Sequence, residues 1–374
     1  MWKTAVGPAP ARAKALAPAG RKGHKFGREI RAGNRAKEEQ MAESPLDVVG
    51  IGNAIVDVLA TTTDDFLSAE GLPKGAMTLV DEGRGEAIYA KMAAAVECSG
   101  GSAANTMGGF ASFGGKGAYI GKVRDDQLGK VFRHDINALG VTFETKAARN
   151  GPSTARCLVL VTPDAQRTMA TYLGACVELG PEDIDAGAIK RSKLVYLEGY
   201  LYDPPRAKAA FLEAAKIAHE AGGGVALTLS DPFCVERHKA DFQDLVDHHV
   251  DVLFANEAEL KALTGCSDFD HAVAEVRGKC AVAAITRSAL GSVVLTDEGA
   301  VTVPAMPVGE LVDTTGAGDL YAAGFLYGMT HELGPADCAR LGGLAAAEII
   351  SHMGARPLIS LKELRRERLP DLPL

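Results

Sequence analysis

Strand-like and helix-like runs alternate along residues 194–303, and this alternation restricts the fold more than any other feature of the chain. LVYLEGY (194–200), GVALTLS (224–230), VDVLFAN (250–256) and VAAITRS (282–288) are short apolar runs. Helical patterns over 206–220, 237–247 and 257–263 fall between them. Parallel strands need a long crossover, and a helix supplies it. The order therefore predicts a mostly parallel sheet with helices on both faces. Ligands then belong beyond the carboxyl ends of the strands. Hairpin strands 292–296 and 300–303 and helices 317–329 and 336–352 close the domain.

Upstream, LDVVGIG (46–52) reads as a buried strand running into a turn. Residues 75–96 read as a strand followed by a helix with Ile88, Met92 and Val96 on one face. RCLVLVT (156–162) and RTMATYL (167–173) read as a hairpin across Pro163–Asp164. The early hairpin-like strands do not fit the alternation and are expected to build a small accessory sheet, with strands within about 58–80 and 156–173.

Charge divides the chain. Its net charge is −8, yet residues 1–40 hold ten Lys/Arg against three Glu, leaving −15 for the remainder. An acidic body lacks the basic field that a nucleic-acid polymer requires. Residues 1–43 are expected to form a basic, disordered extension, because they hold few large apolar side chains to offset their ordering entropy. Met41 opens the globular pattern, so an upstream start or added leader is the expectation, with a basic targeting peptide as the functional alternative. Residues 44–365 are expected to form one domain and 366–374 a C-terminal tail. Seven cysteines, none in a Cys-x-x-Cys pair, suggest neither a disulfide framework nor zinc and fit a reducing, cytoplasmic setting. No apolar run is long enough to span a bilayer.

The chemistry concentrates in a few turns. Asp313-Thr314-Thr315-Gly316-Ala317-Gly318-Asp319 opens directly into an apolar helix. A helix start offers unpaired N–H groups, and Gly316 and Gly318 allow the backbone to approach an anion. Asp319, in the first turn, is placed to take a proton from an attacking hydroxyl. Taken alone, it is equally a helix N-terminal charge. Gly100-Gly101-Ser102-Ala103-Ala104-Asn105 is a second Gly-rich helix start, with Asn105 offering both donor and acceptor. Asn53 and Asp57 follow the first strand. Asn256 and Glu259 begin a helix after another.

These motifs resemble those of the ribokinase-like (PfkB) sugar and nucleoside kinases. DTTGAGD is similar to their C-terminal signature and GGSAAN to their "GGxxxN". Asn256–Glu259 is similar to "NxxE". Thr286-Arg287-Ser288-Ala289-Leu290-Gly291 stands where the family has "T-x-G-x-x-G", with Ser288 in place of the first Gly. The resemblance spans roughly 46–360. It implies a three-layer α/β/α fold with a mostly parallel central sheet and a small β-sheet lid. It implies ATP with Mg²⁺, the metal held near Glu259 partly through water, and nucleotide contacts from Asn256, Thr286, Arg287, Ser288, Gly291 and Gly318. The Val312–Thr315 turn resembles the monovalent-cation loop of ribokinases, which implies K⁺ near Asp313 and Thr315.

Within that family the chain is most similar to the adenosine kinases, through GNAIVDV (52–58), VYLEGYLYDPP (195–205), LTLSDPF (227–233) and AAAEIISHMGARP (345–357). That likeness implies phosphorylation of the adenosine 5′-hydroxyl. Asn53, Asp57, Gly100, Gly101, Ser102 and Asn105 would hold the ribose, Cys157 would line the pocket and Tyr200 would stack on the purine. Arg167 would brace the moving phosphate and the amides of Ala317 and Gly318 would absorb its charge. Glu198 departs from the family pattern. It would meet a base N–H or a nearby Arg, which leaves guanosine or inosine open. A kinase of ribose, fructose or a keto-deoxy sugar acid is the alternative, with Arg156 available to an acid. A non-catalytic sensor on the same scaffold is the second. A nucleoside and ATP are the expected partners, without a nucleic-acid polymer or a membrane, in a monomer or homodimer.

Overall fold

The computed structural model describes residues 45–164, 166–202 and 204–373. The expected N-terminal extension lies outside them. Fourteen strands occur among the described residues. They are β1 (Leu46–Ile51), β2 (Ile55–Thr61), β3 (Met77–Leu79), β4 (Val96–Gly100), β5 (Gly117–Ile120), β6 (Val141–Thr142) and β7 (Ala155–Val161). The rest are β8 (Arg167–Tyr172), β9 (Ser192–Glu198), β10 (Gly224–Thr228), β11 (Val252–Asn256), β12 (Val282–Thr286), β13 (Ser292–Thr296) and β14 (Gly299–Val303). Nine form one sheet, in the order β14-β13-β12-β11-β10-β9-β1-β5-β6. It is parallel from β6 to β12, and β13 and β14 add antiparallel at the far edge.

Period-two alternation sorts this sheet into two cores. Val48, Leu194, Tyr196, Ala226, Val252 and Phe254 face one cluster, packed by helices Ser102–Ser112, Ala317–Thr330 and Pro335–Ile349. Val49, Val195, Leu197, Val225, Leu227 and Leu253 face the other, packed by Pro205–Glu220, Lys239–His248 and Glu257–Thr264. Strands apolar on both faces are what burial between two helical layers requires. The result is the three-layer α/β/α architecture expected above. From β1 the chain continues to β5 and β6 on one side, then crosses to β9 on the other. The gap between the carboxyl ends of β1 and β9 is therefore a topological switch point, where crevices form in open α/β sheets.

The second sheet has the order β3-β8-β7-β2-β4. One of its faces joins the main core through Val56, Val58, Leu158, Leu160 and Ala170. The other carries Ile55, Cys157 and Val159, with Leu59 and Met169 half-buried beside them.

Two expectations are corrected. In residues 75–96 the expected strand and helix form, but the helix stops short of Met92 and Val96. The helix is Glu82–Tyr89, and Val96 begins edge strand β4, antiparallel to β2 with Val96 opposite Leu59. The i, i+4, i+8 spacing of Ile88, Met92 and Val96 is overridden by this long-range pairing. The 365/366 boundary also fails, because helix Leu361–Arg368 runs through it and Leu369 and Leu372 are buried in the main core. Among the described residues no helix is long and apolar enough to cross a membrane, and all seven cysteines are free.

Candidate active site

At the switch point, Asn53 follows β1 and Glu198 ends β9. The Asn53 side-chain NH₂ donates to Glu198 Oε1 (2.7 Å), and the Ala103 N–H donates to Glu198 Oε2 (2.8 Å). Glu198 is 1% exposed. It meets neither an Arg nor open pocket, so the sequence-based expectation of a base or Arg partner is corrected. Its carboxylate caps helix Ser102–Ser112 from a distance, where Gly101 has no side chain to do so. Burial drives Glu198 up to about 7, the bonds from Ala103 and Asn53 opposing the shift.

Gly101 has φ +95, a region that favours glycine, and a Cβ there would strike the Asn53 carbonyl oxygen. This tight turn starts the helix with Ser102 and Asn105 directed toward the late helix Ala317–Thr330. Ser102 Oγ donates to Asp319 Oδ1 (2.6 Å), and Asn105 Nδ2 donates to Asp319 Oδ2 (3.0 Å). Two Gly-rich helix starts more than 200 residues apart thus meet at one carboxylate. Burial raises the Asp319 pKa, while the Ser102 and Asn105 bonds and nearby Arg356 pull it back. A carboxylate shifted upward yet still ionised is a better base. Asp57, on β2, is lifted to about 6 by burial, against the charges of Arg167 and Arg356. Cys157 lies beside Asp57 in register, buried and receiving a bond from Thr171 Oγ1 (3.3 Å). Burial pushes this thiol up to about 12, so it stays a thiol and is not a nucleophile.

The anion turn differs in one detail from expectation. Gly316 has φ +76 and caps the helix. The Ala317 N–H is already taken by Thr314 O (3.2 Å), and Leu320 N–H by Gly316 O (2.8 Å). Among the described residues the amides of Gly318 and Asp319 have no such backbone acceptor, so the free pair lies one residue later than Ala317 and Gly318. A Cβ on Gly318 would meet nothing within 4 Å, which leaves this side open to an anion.

Arg167, on the lid strand β8, reaches this turn and pairs with Asp313 (2.7 Å), both side chains only 7% exposed. Asp313 also accepts from Thr315 N (3.0 Å), Thr315 Oγ1 (2.8 Å) and Gly354 N (3.3 Å). Burial alone would raise its pKa, but these donors and Arg167 hold it below the ordinary value. With a guanidinium and three donors already on that carboxylate, the residues do not fit a K⁺ bound there.

Asn256 and Glu259 form a reciprocal capping box. Asn256 N and Nδ2 donate to Glu259 (2.8 and 2.6 Å), and Glu259 N donates back to Asn256 Oδ1 (2.9 Å). Burial moves Glu259 up to about 7, and Asp231 and Asp319 push in the same direction. Mutually repelling carboxylates at one end of the sheet suit a divalent cation. Among the described residues no three His, Cys, Asp or Glu side chains converge on one point. Thr286 ends β12. Arg287 is held by Glu257 (2.9 Å) and lies over the Phe269 ring (3.8 Å). Ser288 has φ +50 and Gly291 φ +85, both in the left-handed region that favours glycine. Tyr200, 38% exposed, stands at the mouth beyond β9.

One residue escaped the sequence reading. Arg356 donates to Ala104 O, to Ser99 O (2.9 Å) and to Ser99 Oγ (3.0 Å), tying the segment after helix Pro335–Ile349 to the GGSAAN turn. Its charge acts on both Asp57 and Asp319. The only sequence signal is a lone Arg among small residues in Gly354-Ala355-Arg356-Pro357. Arg156, by contrast, lies away from the pocket. It is in register with Val56, on the face opposite Asp57 and Cys157, and its guanidinium reaches Glu82 O (3.3 Å) and Glu86 (3.6 Å).

The pattern of the pfkB family carbohydrate kinases matches residues 78–361. The chain belongs to this family. It is 28% identical over 306 residues to the adenosine kinase of Saccharomyces cerevisiae, across 76% of this chain and 88% of that protein. The solved structure of the Sinorhizobium meliloti adenosine kinase is 51% identical, with TM-score 0.81, covering 87% of this chain and 99% of that one. A probable sugar kinase from Rhizobium etli CFN 42 is 48% identical, with TM-score 0.82 and the same coverage. As a pfkB-family kinase the chain is a phosphotransferase with an alcohol acceptor, using ATP.

The ionisable groups of this kinase predict a stability profile. Asp57, Glu198 and Glu259 all have raised folded pKa values, and His219 is raised by Asp251. In each case the folded state binds protons more tightly than the unfolded chain, so stability falls as pH rises through the folded values. Lowering the pH from 8 to 5.5 should therefore stabilise the ligand-free protein, on the order of 2–4 kcal/mol. Urea midpoints at the two pH values measure this, and a lower midpoint at pH 5.5 would contradict the assignment.

Proposed function

We propose that this kinase transfers the γ-phosphoryl group of ATP to the 5′-hydroxyl of a purine nucleoside, adenosine foremost, giving AMP and ADP. The observation that carries the reading is the convergence of Ser102 and Asn105 on Asp319 at the mouth of helix Ala317–Thr330. The same helix that holds the sugar thereby aims the base. Asp57, Asn53 and Asn105 accept from the ribose hydroxyls, and Cys157 walls the pocket. Tyr200 offers its ring to the purine, a flat apolar surface suited to a base. Arg156 is turned away, which removes the cation an acid sugar would need. The identity to the S. meliloti adenosine kinase supports the same substrate class.

In the reaction Asp319 accepts the 5′-hydroxyl proton. The freed oxygen attacks the γ-phosphorus in line, and the bond from that phosphorus to the β–γ bridging oxygen breaks, leaving ADP. The N–H groups of Gly318 and Asp319 and the helix N-terminus face the charge that grows on the phosphoryl oxygens. Arg167 reaches the same turn from the lid and adds positive charge as the lid excludes water. Asn256 and Glu259 would hold Mg²⁺ through its waters, the ion supplying charge neutralisation on the ATP phosphates.

Coupled ADP release across adenosine, guanosine, inosine, ribose and fructose tests the proposal. Turnover of purine nucleosides is the expected result, and turnover of free sugars alone would overturn it in favour of the sugar-kinase reading. Because Arg167 already compensates Asp313, replacing K⁺ by Na⁺ should leave the rate unchanged. A large fall would show that a K⁺ displaces that guanidinium.

A further inference from the structure

Two asparagines in the pocket share an arrangement. The NH₂ of Asn53 is bound by Glu198, and the NH₂ of Asn105 is bound by Asp319. In both, a carboxylate takes the donor end of the amide and leaves the carbonyl oxygen over. Asn105 Oδ1 is buried and has no partner in the protein. With the Asp57 carboxylate, three acceptor groups then line the pocket. They suit a ligand that brings O–H donors.

We propose that Glu198 sets this polarity: by accepting from the Asn53 NH₂ it obliges that amide to turn its carbonyl oxygen, and not its NH₂, toward the substrate hydroxyls. The proposal rests on the reading that Asn53 faces the sugar.

The chemistry at Glu198 leaves little choice. Its Oε2 accepts from Ala103 N–H (2.8 Å), a backbone donor that cannot turn round. A proton on Oε1 faces Asn53, where an O–H and an NH₂ oppose each other as two donors. Turning the amide to present Oδ1 restores a full bond, and this is the arrangement the proposal assigns to the protonated state. The pocket would then receive an NH₂. Burial places the Glu198 pKa at about 7, within reach of ordinary assay conditions. The titratable groups around it are Asp319 from the late helix, Tyr119 from β5, Tyr196 from β9, Tyr200 beyond β9 and Cys176. Burial lifts the tyrosines and the thiol well above neutrality. The acids that remain are Asp319, raised by burial, and, across the pocket, Asp57, raised to about 6. Arg356 is the nearby cation and acts on Tyr119 as well.

The test is the KM for the nucleoside between pH 5.5 and 8.5, with the KM for ATP as internal reference. In the unaltered protein the nucleoside KM should rise roughly tenfold as pH falls through 7, with the KM for ATP flat. E198Q keeps an acceptor for Ala103 but offers an NH₂ to Asn53, so its nucleoside KM should be raised by roughly tenfold above pH 7 and lose the step near 7, keeping only the lower one that Asp57 gives near 6. The exchanged pair N53D/E198Q restores complementarity. The new amide donates to one oxygen of the new carboxylate, and the other oxygen again accepts from the substrate. This double variant should recover the nucleoside KM to within about threefold, a rescue that simple loss of packing would not give. E198Q with an unaltered KM and an unaltered pH step would overturn the proposal, as would a folded exchanged pair, checked by urea midpoint, with no recovery. If E198Q alone fails to fold, the exchanged pair decides. Should the unaltered protein act only on free sugars, the nucleoside reading falls and the same series is run with that sugar.

Discussion

Asp319→Asn is expected to lower kcat by about 10²–10⁴ while leaving the KM for ATP within about twofold. The substitution keeps shape and removes the ability to accept the 5′-hydroxyl proton; because the Asn105 amide turns with it, the nucleoside KM should rise as well. Ser102 can still donate to the remaining carbonyl oxygen. Asn105 can turn its amide, whose oxygen lacks a partner, to accept from the new NH₂. The fold should therefore hold. Burial raises the Asp319 pKa, so at pH 8 the ionised carboxylate opposes folding, and the amide should leave the urea midpoint equal or higher. Activity falling while stability does not is the signature of a group retained for chemistry. Turnover near that of the unaltered protein would remove Asp319 as the base. A loss of unfolding free energy of more than about 2 kcal/mol would make it a structural anchor instead.

Local chemistry was legible in the sequence wherever one turn contains it. The DTTGAGD and GGSAAN segments read as helix starts because Gly, Ser and Asp at those spacings have few other uses, and both helices form as read. The alternation over 194–303 translates into strands β9 to β12 because each strand and its crossover lie close in sequence. What stayed hidden depends on partners far along the chain. Glu198 meets Ala103 across 95 residues and Asn53 across 145. Arg167 meets Asp313 across 146, and Arg356 meets Ser99 across 257. A buried charge announces that it needs a partner, but not which one. Strand β4 was missed for a related reason, since its pairing with β2 comes from tertiary contact and not from a local period. Ser288 shows the reverse case. Its side chain departs from the family motif, while its φ of +50 lies in the region a glycine takes without strain.

Replacing Gly101 by Ala should destabilise the protein by about 2–5 kcal/mol and raise the nucleoside KM as well. Two costs act together. The residue sits at φ +95, where a Cβ is strained, and that Cβ would meet the Asn53 carbonyl oxygen. Neither side can yield freely. The Asn53 carbonyl accepts from the buried Tyr119 hydroxyl (3.0 Å), and the Asn53 side chain is held by Glu198. Moving the helix instead would pull Ser102 and Asn105 from Asp319. Each relaxation path passes through a substrate contact, so stability and KM should change together. Gly140→Ala is the matched control. It also has positive φ, +86, but open space around it, so it should lose only about 1 kcal/mol to backbone strain and leave the kinetics unchanged. If the two alanines cost the same in urea, the contact with Asn53 contributes nothing, and the Gly-Gly turn serves only to start a helix.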